Sequence, residues 1–269
     1  MKSTNYYEFT VSLVHKAGVR LKAARTKMFE VSHKGSDERD LVTSVDLEIN
    51  DFLIAEIKRA YPEHRISSEE GGDVVGQDVI EYEWKLDPID GSANFSRNIP
   101  HFNVCAALLY KNVPIVGAVY NPITEEMFSF EQAQGAFLNG MPIRVSTITE
   151  PKDAQGLISF GHDPLLLDWS VATFRDCVKS LKKFKSLGSS ALDLSFLAAG
   201  RVDVVIYGTL RLSDCAAGIG IIRAAGGEVY TPGGVPVEIS SNTQTIIATS
   251  NRELFDKIQP LLHQELLPR

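Results

Sequence analysis

Two carboxylates stand three residues apart in "KLDPIDGSANF" (85–95): Asp87 and Asp90, with a proline between them and a glycine and a serine directly after. Two more acidic positions fall near the ends of strand-like segments, Glu69-Glu70 and Asp214. A sheet fixes such a residue while the following loop leaves it accessible, so strand ends often carry catalytic groups. Carboxylate and carbonyl oxygens with no adjacent His or Cys suit a hard cation such as Mg²⁺. Two such ions about 4 Å apart can clamp a phosphoryl group and lower the pKa of a bound water. In that role Asp87 can bridge, with the Ile89 carbonyl facing the same side. Gly91 lets a ligand approach the backbone, and "GSANF" can open a helix whose free N–H groups receive phosphate. Acidic residues near strand ends also serve as caps and turn formers, and D-P-x-D-G by itself leaves both readings open.

The elements that must position these residues are legible in outline. Leu13, Ala17, Leu21, Ala24 and Met28 recur at helical steps and predict an amphipathic helix through about residue 28. "KGSDERD" (34–40) breaks it as a polar loop. Thr43 and Asp46 fit a capping box opening a second helix over Ile49, Phe52, Leu53 and Ile57, ended by Tyr61-Pro62. "RISSEEGGD" reads as a strand entering a loop, and "YEWKLDPID" as a strand whose C-terminal end carries both aspartates. "NVCAALLYK", "PIVGAVYN" and "EMFSFEQ" form a meander closed by the hairpin "GAFLNGMPIRVS". Beyond it, strands alternate with helices over "LDWSVATFRDCVKSLKKF", "SALDLSFLAAG", "DCAAGIGIIRAAGG" and "RELFDKIQPLLHQEL". Lys179, Lys182, Lys183 and Lys185 then form the solvated face of a helix. The expected organisation is an α+β lobe over 1–150 and an α/β lobe over 151–269.

Composition narrows the function classes. A formal charge of −7 argues against the broad basic surface of a nucleic-acid partner. No run approaches a membrane span, and the N-terminus lacks the apolar core of a signal peptide, so a cytoplasmic protein is expected. Cys105, Cys177 and Cys215 are far apart and odd in number, which fits a reducing compartment rather than a disulfide framework.

"DPIDGSANF", preceded by "SSEEG" and followed by "SDCAAGIGIIRAAGG", resembles the inositol monophosphatase family of Mg²⁺-dependent, lithium-sensitive phosphatases. "DLVTSVD" (40–46), "GAFLNGMPIRVS" (135–146) and "SLGSSALDLSFLAAGRVD" (186–203) match further family segments in the expected order. The resemblance implies a five-layered αβαβα sandwich and a homodimer. It implies metal ligation by Glu69, Asp87, the Ile89 carbonyl, Asp90 and Asp214, with two or three Mg²⁺ ions, Mn²⁺ as a substitute and Li⁺ as inhibitor. Ser92 would position the attacking water, and the Gly91 and Ser92 amides would receive the phosphate. The implied reaction is hydrolysis of a phosphate monoester such as inositol monophosphate by metal-activated water, without a phosphoenzyme.

The departures concern substrate. Where the family usually has a glutamate that holds sugar hydroxyls, seven residues before Asp214, this chain has Tyr207. The usual tryptophan before that aspartate is Ser213, and Arg211 adds a cation that can receive a second phosphate. Gly188, Ser189 and Ser190 match the segment beside the substrate hydroxyls. His101 follows "NFSRNIP" beside the pocket but reads as a structural histidine, and Lys34 falls in the polar loop on the phosphate side. The alternatives are a fructose-1,6-bisphosphatase, a histidinol-phosphatase, a 3′-phosphonucleotide phosphatase, or a regulatory binding protein on the same fold.

Overall fold

The computed structural model describes residues 5–25, 30–33, 41–71, 81–160, 164–211, 215–239 and 243–267. Helix α1 (Tyr6–Ala24) buries Leu13, Ala17, Leu21 and Ala24, the stripe its spacing predicts. It stops short of the expected end: Arg25 is the C-cap, its N–H bonded to Leu21, and Met28 lies outside the described residues. Strands β1 (Val31–His33) and β2 (Leu41–Thr43) pair as an antiparallel ribbon that the sequence reading did not anticipate. The polar loop 34–40, with Lys34, lies outside the described residues. Helix α2 (Ser44–Ala60) opens on the expected capping box between Thr43 and Asp46 and ends at Tyr61.

The next strands are β3 (Arg65–Ser68) and β4 (Tyr82–Asp90), then the short helix α3 (Ser92–Ser96). They continue as β5 (Asn103–Tyr110), β6 (Val113–Asn121), β7 (Glu126–Glu131), β8 (Gly135–Leu138) and β9 (Met141–Ile143). Together β3 to β9 make a seven-stranded sheet in sequence order, antiparallel except for the parallel pair β3–β4. The second half contributes β10 (Gln155–Ser159), α4 (Leu167–Ser180), β11 (Lys183–Lys185), α5 (Ser190–Ala198) and β12 (Val204–Arg211). It ends with α6 (Ala216–Ala224), β13 (Glu228–Tyr230), β14 (Thr243–Thr249) and α7 (Arg252–Ile258). The second sheet has the order β11-β10-β12-β14-β13.

Two further helices are shorter than the sequence suggested. The helix expected over "LDWSVATFRDCVKSLKKF" ends at Ser180, where the Leu181 N–H bonds Cys177. Lys182 then donates to Ala154, and Lys183–Lys185 pair with β10 as an edge strand. Lys183 and Lys185 are therefore edge lysines, which guard an open strand against further pairing, and not a helix face. The last helix ends at Ile258, because Pro260 blocks its continuation and His263 adopts a left-handed conformation.

Three apolar clusters show five layers. The outer helices α1 and α2 pack on one face of the seven-stranded sheet through Leu21, Ile49, Leu53, Trp84 and Leu108. Its other face meets α5 and α6, which in turn cover the second sheet through Leu194, Ile219, Val205 and Ile246. Helices α4 and α7 close the far face of that sheet around Trp169, Ile206, Ile247 and Phe255. The αβαβα sandwich is thus built as expected, with the shared middle layer holding the two sheets together. That layer is thin where Gly220 of α6 lies against the Phe130 ring, which already occupies the place a Cβ would need.

Below α1, His64 stacks between Tyr61 and Tyr82 at 4.9 Å from each ring and accepts a hydrogen bond from Trp84 Nε1 at 3.1 Å. Burial lowers its pKa from the usual imidazole value, so the folded state holds it neutral. The unfolded chain protonates it first, so its contribution is present above the ordinary histidine pKa and fades as pH falls toward the depressed folded value. The stability difference between wild type and His64→Gln, from urea midpoints, should therefore shrink from pH 7 to pH 5. A pH-independent difference would contradict this assignment.

Candidate functional site

Parallel pairing of β3 with β4 sets Ser68 opposite Leu86, and the Glu69 N–H bonds the Leu86 carbonyl at 3.2 Å. Glu69 therefore leaves β3 beside Asp87 on β4. On the other side Asp87 pairs with Cys105 and Asp90 with Asn103, with a register shift between them. The bulge holds Pro88, which has no N–H to give a ladder, and it turns Asp90 toward the start of α5. Asp87 and Asp90 are both buried.

Asp90 is engaged from the middle layer. Its Oδ1 accepts from the Ser190 N–H at 2.9 Å and the Ser190 hydroxyl at 3.1 Å. Its Oδ2 accepts from the Ser189 hydroxyl at 2.6 Å, the Ala191 N–H at 2.9 Å and Asn103 Nδ2 at 2.6 Å. Helix α5 has no side-chain cap from its own N-cap residue, Ser189. The Asp90 carboxylate does that work from the end of β4, meeting two orphan N–H groups at the positive end of the helix.

Gly91 follows with φ 91° and ψ 39°, a left-handed conformation. A Cβ there would lie 3.0 Å from the His101 carbonyl and 3.3 Å from the Gly188 carbonyl. Ser92 then starts α3, with its Oγ 3.0 Å from Asp46 Oδ1 and 2.9 Å from the Ile89 carbonyl oxygen. Asp46 is fully buried, and its Oδ2 takes the Thr43 N–H at 2.8 Å and the Thr43 hydroxyl at 2.5 Å. Asn94 Nδ2 ties the same turn to the segment ahead of α5 through the carbonyls of Leu187, at 2.9 Å, and Gly188, at 3.3 Å.

The residues assigned to substrate are spread more widely. Gly188, Ser189 and Ser190 lie against Gly91 and Asp90. Tyr207 is buried on β12, and its hydroxyl donates to Asp193 at 2.7 Å. Burial lifts the phenol far above its usual pKa, with the negative charge of Asp193 adding to it. Arg211 is exposed at the end of β12, opposite Thr243. Asp214 and Ser213 lie outside the described residues.

Four residues at the site were not singled out from sequence: Asp46 beyond its cap, Asn94, Asn103 and Asp193. Asn103 left a trace, as a polar residue opening the otherwise apolar strand "NVCAALLY". Asp193 had one too, an acid in a helix whose other residues are nearly all buried.

A metal fits by donor chemistry: Glu69, Asp87, Asp90 and the Ile89 carbonyl offer oxygen alone, which is what Mg²⁺ takes. Among the described residues no three His, Cys, Asp or Glu side chains gather into a metal-holding group. Asp90 already has five donors, so a cation would need the Ser189 or Ser190 hydroxyl to turn away.

A five-layered sandwich with this acidic strand end defines a class, and comparison with known proteins agrees. The inositol monophosphatase family model matches residues 2–267. The chain is 34% identical over 265 residues to Nus factor SuhB of Pasteurella multocida, covering 92% of this chain and 97% of that one. It is 39% identical over 204 residues to Nus factor SuhB of Escherichia coli K12, covering 74% of each. Among solved structures, the extragenic suppressor protein suhB from Bartonella henselae superposes with TM-score 0.88 at 30% identity, covering 96% of this chain and 98% of that one. An IMPase from Thermotoga maritima gives 0.85 at 28% identity, covering 96% of each chain. The chain belongs to the inositol monophosphatase family. Among the described residues no helix is long and apolar enough to cross a membrane.

Replacing Gly91 by alanine should destabilise the fold by about 1–2 kcal/mol, the usual penalty of a left-handed non-glycine residue. The carbonyls around it add to that. Equal urea midpoints for Gly91→Ala and wild type would show that the turn is not constrained.

Proposed function

We propose that the protein is a Mg²⁺-dependent phosphomonoesterase acting on inositol monophosphate by direct attack of water. The observation that carries this reading is the Ser92 hydroxyl held between Asp46 and the Ile89 carbonyl, where β4 delivers its two aspartates. Mg²⁺, when bound, lowers the pKa of water and offsets charge on the phosphoryl oxygens. Glu69, Asp87, Asp90 and the Ile89 carbonyl are its ligands in this reading, with Asp214 as a further one.

Both neighbours of the Ser92 hydroxyl are acceptors, so its proton points at them and its lone pairs face elsewhere. Ser92 therefore accepts a hydrogen bond from a water and aims that water's own lone pair at phosphorus. Asp46 is the carboxylate toward which the proton moves. The Gly91 and Ser92 amides are the donors for the phosphate, and Gly188, Ser189 and Ser190 line the alcohol side. No imidazole is hydrogen-bonded to Ser92 among the described residues, which argues for positioning rather than nucleophilic attack.

A second reading, a regulatory role on the same fold, is favoured by the name Nus factor that relatives at 34% and 39% identity carry. Phosphate release with Mg²⁺ across inositol 1-phosphate, fructose 1,6-bisphosphate, histidinol phosphate and 3′-phosphoadenosine phosphates separates the two. Release greatest from inositol 1-phosphate, inhibited by millimolar Li⁺ and abolished by Asp87→Asn, supports the first reading; no release from any of them favours the second. Ser92→Ala and Asp46→Asn should each slow turnover about 100-fold, the scale of lost acid–base assistance. A phosphoserine intermediate would overturn the direct-water mechanism.

A further inference from the structure

The site takes Asp90, Gly91 and Ser92 from the end of β4 and Ser189 and Ser190 from the start of α5, so something must hold the two in register. Asp90 reaches across to α5, but that contact is useful only if the first turn of α5 is itself fixed. One turn further along α5 sits Asp193, with no exposed surface. Its Oδ2 accepts from Tyr207 Oη at 2.7 Å, and its Oδ1 lies 3.1 Å from His101 Nε2. Tyr207 belongs to β12 of the second sheet. His101 precedes β5 of the first, two residues before Asn103, which donates to Asp90. The carbonyl of His101 accepts from Asn94 at 2.8 Å and backs onto Gly91. One buried carboxylate thus joins both sheets to the middle helix.

We propose that Asp193, through its bonds to His101 and Tyr207, is a positioning residue that fixes the first turn of α5 and with it the orientation of the Asp90 carboxylate toward the metal site. The inference rests on the metal-site reading given above.

Several features make a purely space-filling role a poor description. A carboxylate only accepts, and its two oxygens meet directional partners from separate elements, Tyr207 on β12 and His101 just ahead of β5. A buried acid costs free energy unless hydrogen-bonded, and an apolar residue of the same volume would fill α5 without that cost. Burial does push the Asp193 carboxyl upward, opposed by His101 and Tyr207 and reinforced by the charge of Asp90. Tyr207, read from sequence as a substrate contact, faces Asp193 with its hydroxyl and acts here as part of the brace.

The test is Mn²⁺ affinity of the full-length protein, by calorimetry without substrate, with urea midpoints in parallel. Asp193→Leu leaves His101 and Tyr207 without their partner and should weaken Mn²⁺ about 10-fold, the low end of effects seen for residues supporting metal ligands. Asp193→Asn should stay close to wild type, because an amide can accept from Tyr207 and donate to the other tautomer of His101. Tyr207→Phe keeps the ring, removes one bond, and should shift affinity in the same direction by a smaller factor. A folded Asp193→Leu that binds Mn²⁺ as wild type does, with only its urea midpoint lowered, overturns the positioning role. If Asp193→Leu fails to fold, Tyr207→Phe decides: unchanged affinity overturns the proposal. No Mn²⁺ binding by wild type would instead overturn the metal-site reading, and the proposal with it.

Discussion

The contact between the Asp90 carboxylate and the start of α5 is the interaction on which the site depends. A helix start presents N–H groups with no partner of their own, and at α5 these are buried between two sheets. Asp90 supplies the missing acceptor from the end of β4 in the seven-stranded sheet. Hydrogen bonds to a charged group contribute about 1.5–3 kcal/mol each, and an unsatisfied buried donor costs a comparable amount. The chain cannot fold its middle layer comfortably without placing Asp90 where it is. The residue that serves the fold is thereby also fixed for the metal site proposed above.

The same economy appears at Asp46. As the third residue of α2 it closes a capping box with Thr43, a local device that starts a helix. Only one oxygen is needed for that, and the other meets Ser92 on a different element. Position is therefore inherited from secondary structure, and rigidity follows, because a residue serving two masters has few rotamers left. The β4 bulge works similarly: Pro88 breaks the ladder, and the break re-aims Asp90 toward α5.

Local signals carried much of this into the sequence. The D-P-x-D-G spacing, the capping box and the alternating strands each depend on residues within a few positions of one another. What depended on distance was not legible. Asp193 meets His101 across 92 positions and Tyr207 across 14, and its acidity among apolar neighbours in "SALDLSFLAAG" does not say which partners it meets. The β11 strand was hidden because "LKKFK" has good helix formers, and only pairing with β10 makes it extended. Tyr207 illustrates the general difficulty. Its place in the motif is readable, while the direction of its hydroxyl is set by a helix that packs behind it.

Charge explains why so much bracing surrounds a small site. Asp87, Asp90 and Asp193 are all buried in the region where the two sheets face the middle layer. Buried carboxylates repel one another and lose hydration, so each needs directed donors or a cation. Asp90 uses the helix start, and Asp193 uses a phenol and an imidazole. Asp193 lies inside the middle layer, whereas Asp87 and Glu69 lie toward the ends of β4 and β3, where the proposed divalent ion would approach. A cation entering there would relieve repulsion that the fold has confined to that corner. The bracing and the acidity are then two sides of one arrangement: hydrogen bonds from α5 and β5 fix Asp90, so that in the proposed site it stands in register with Asp87 and Glu69.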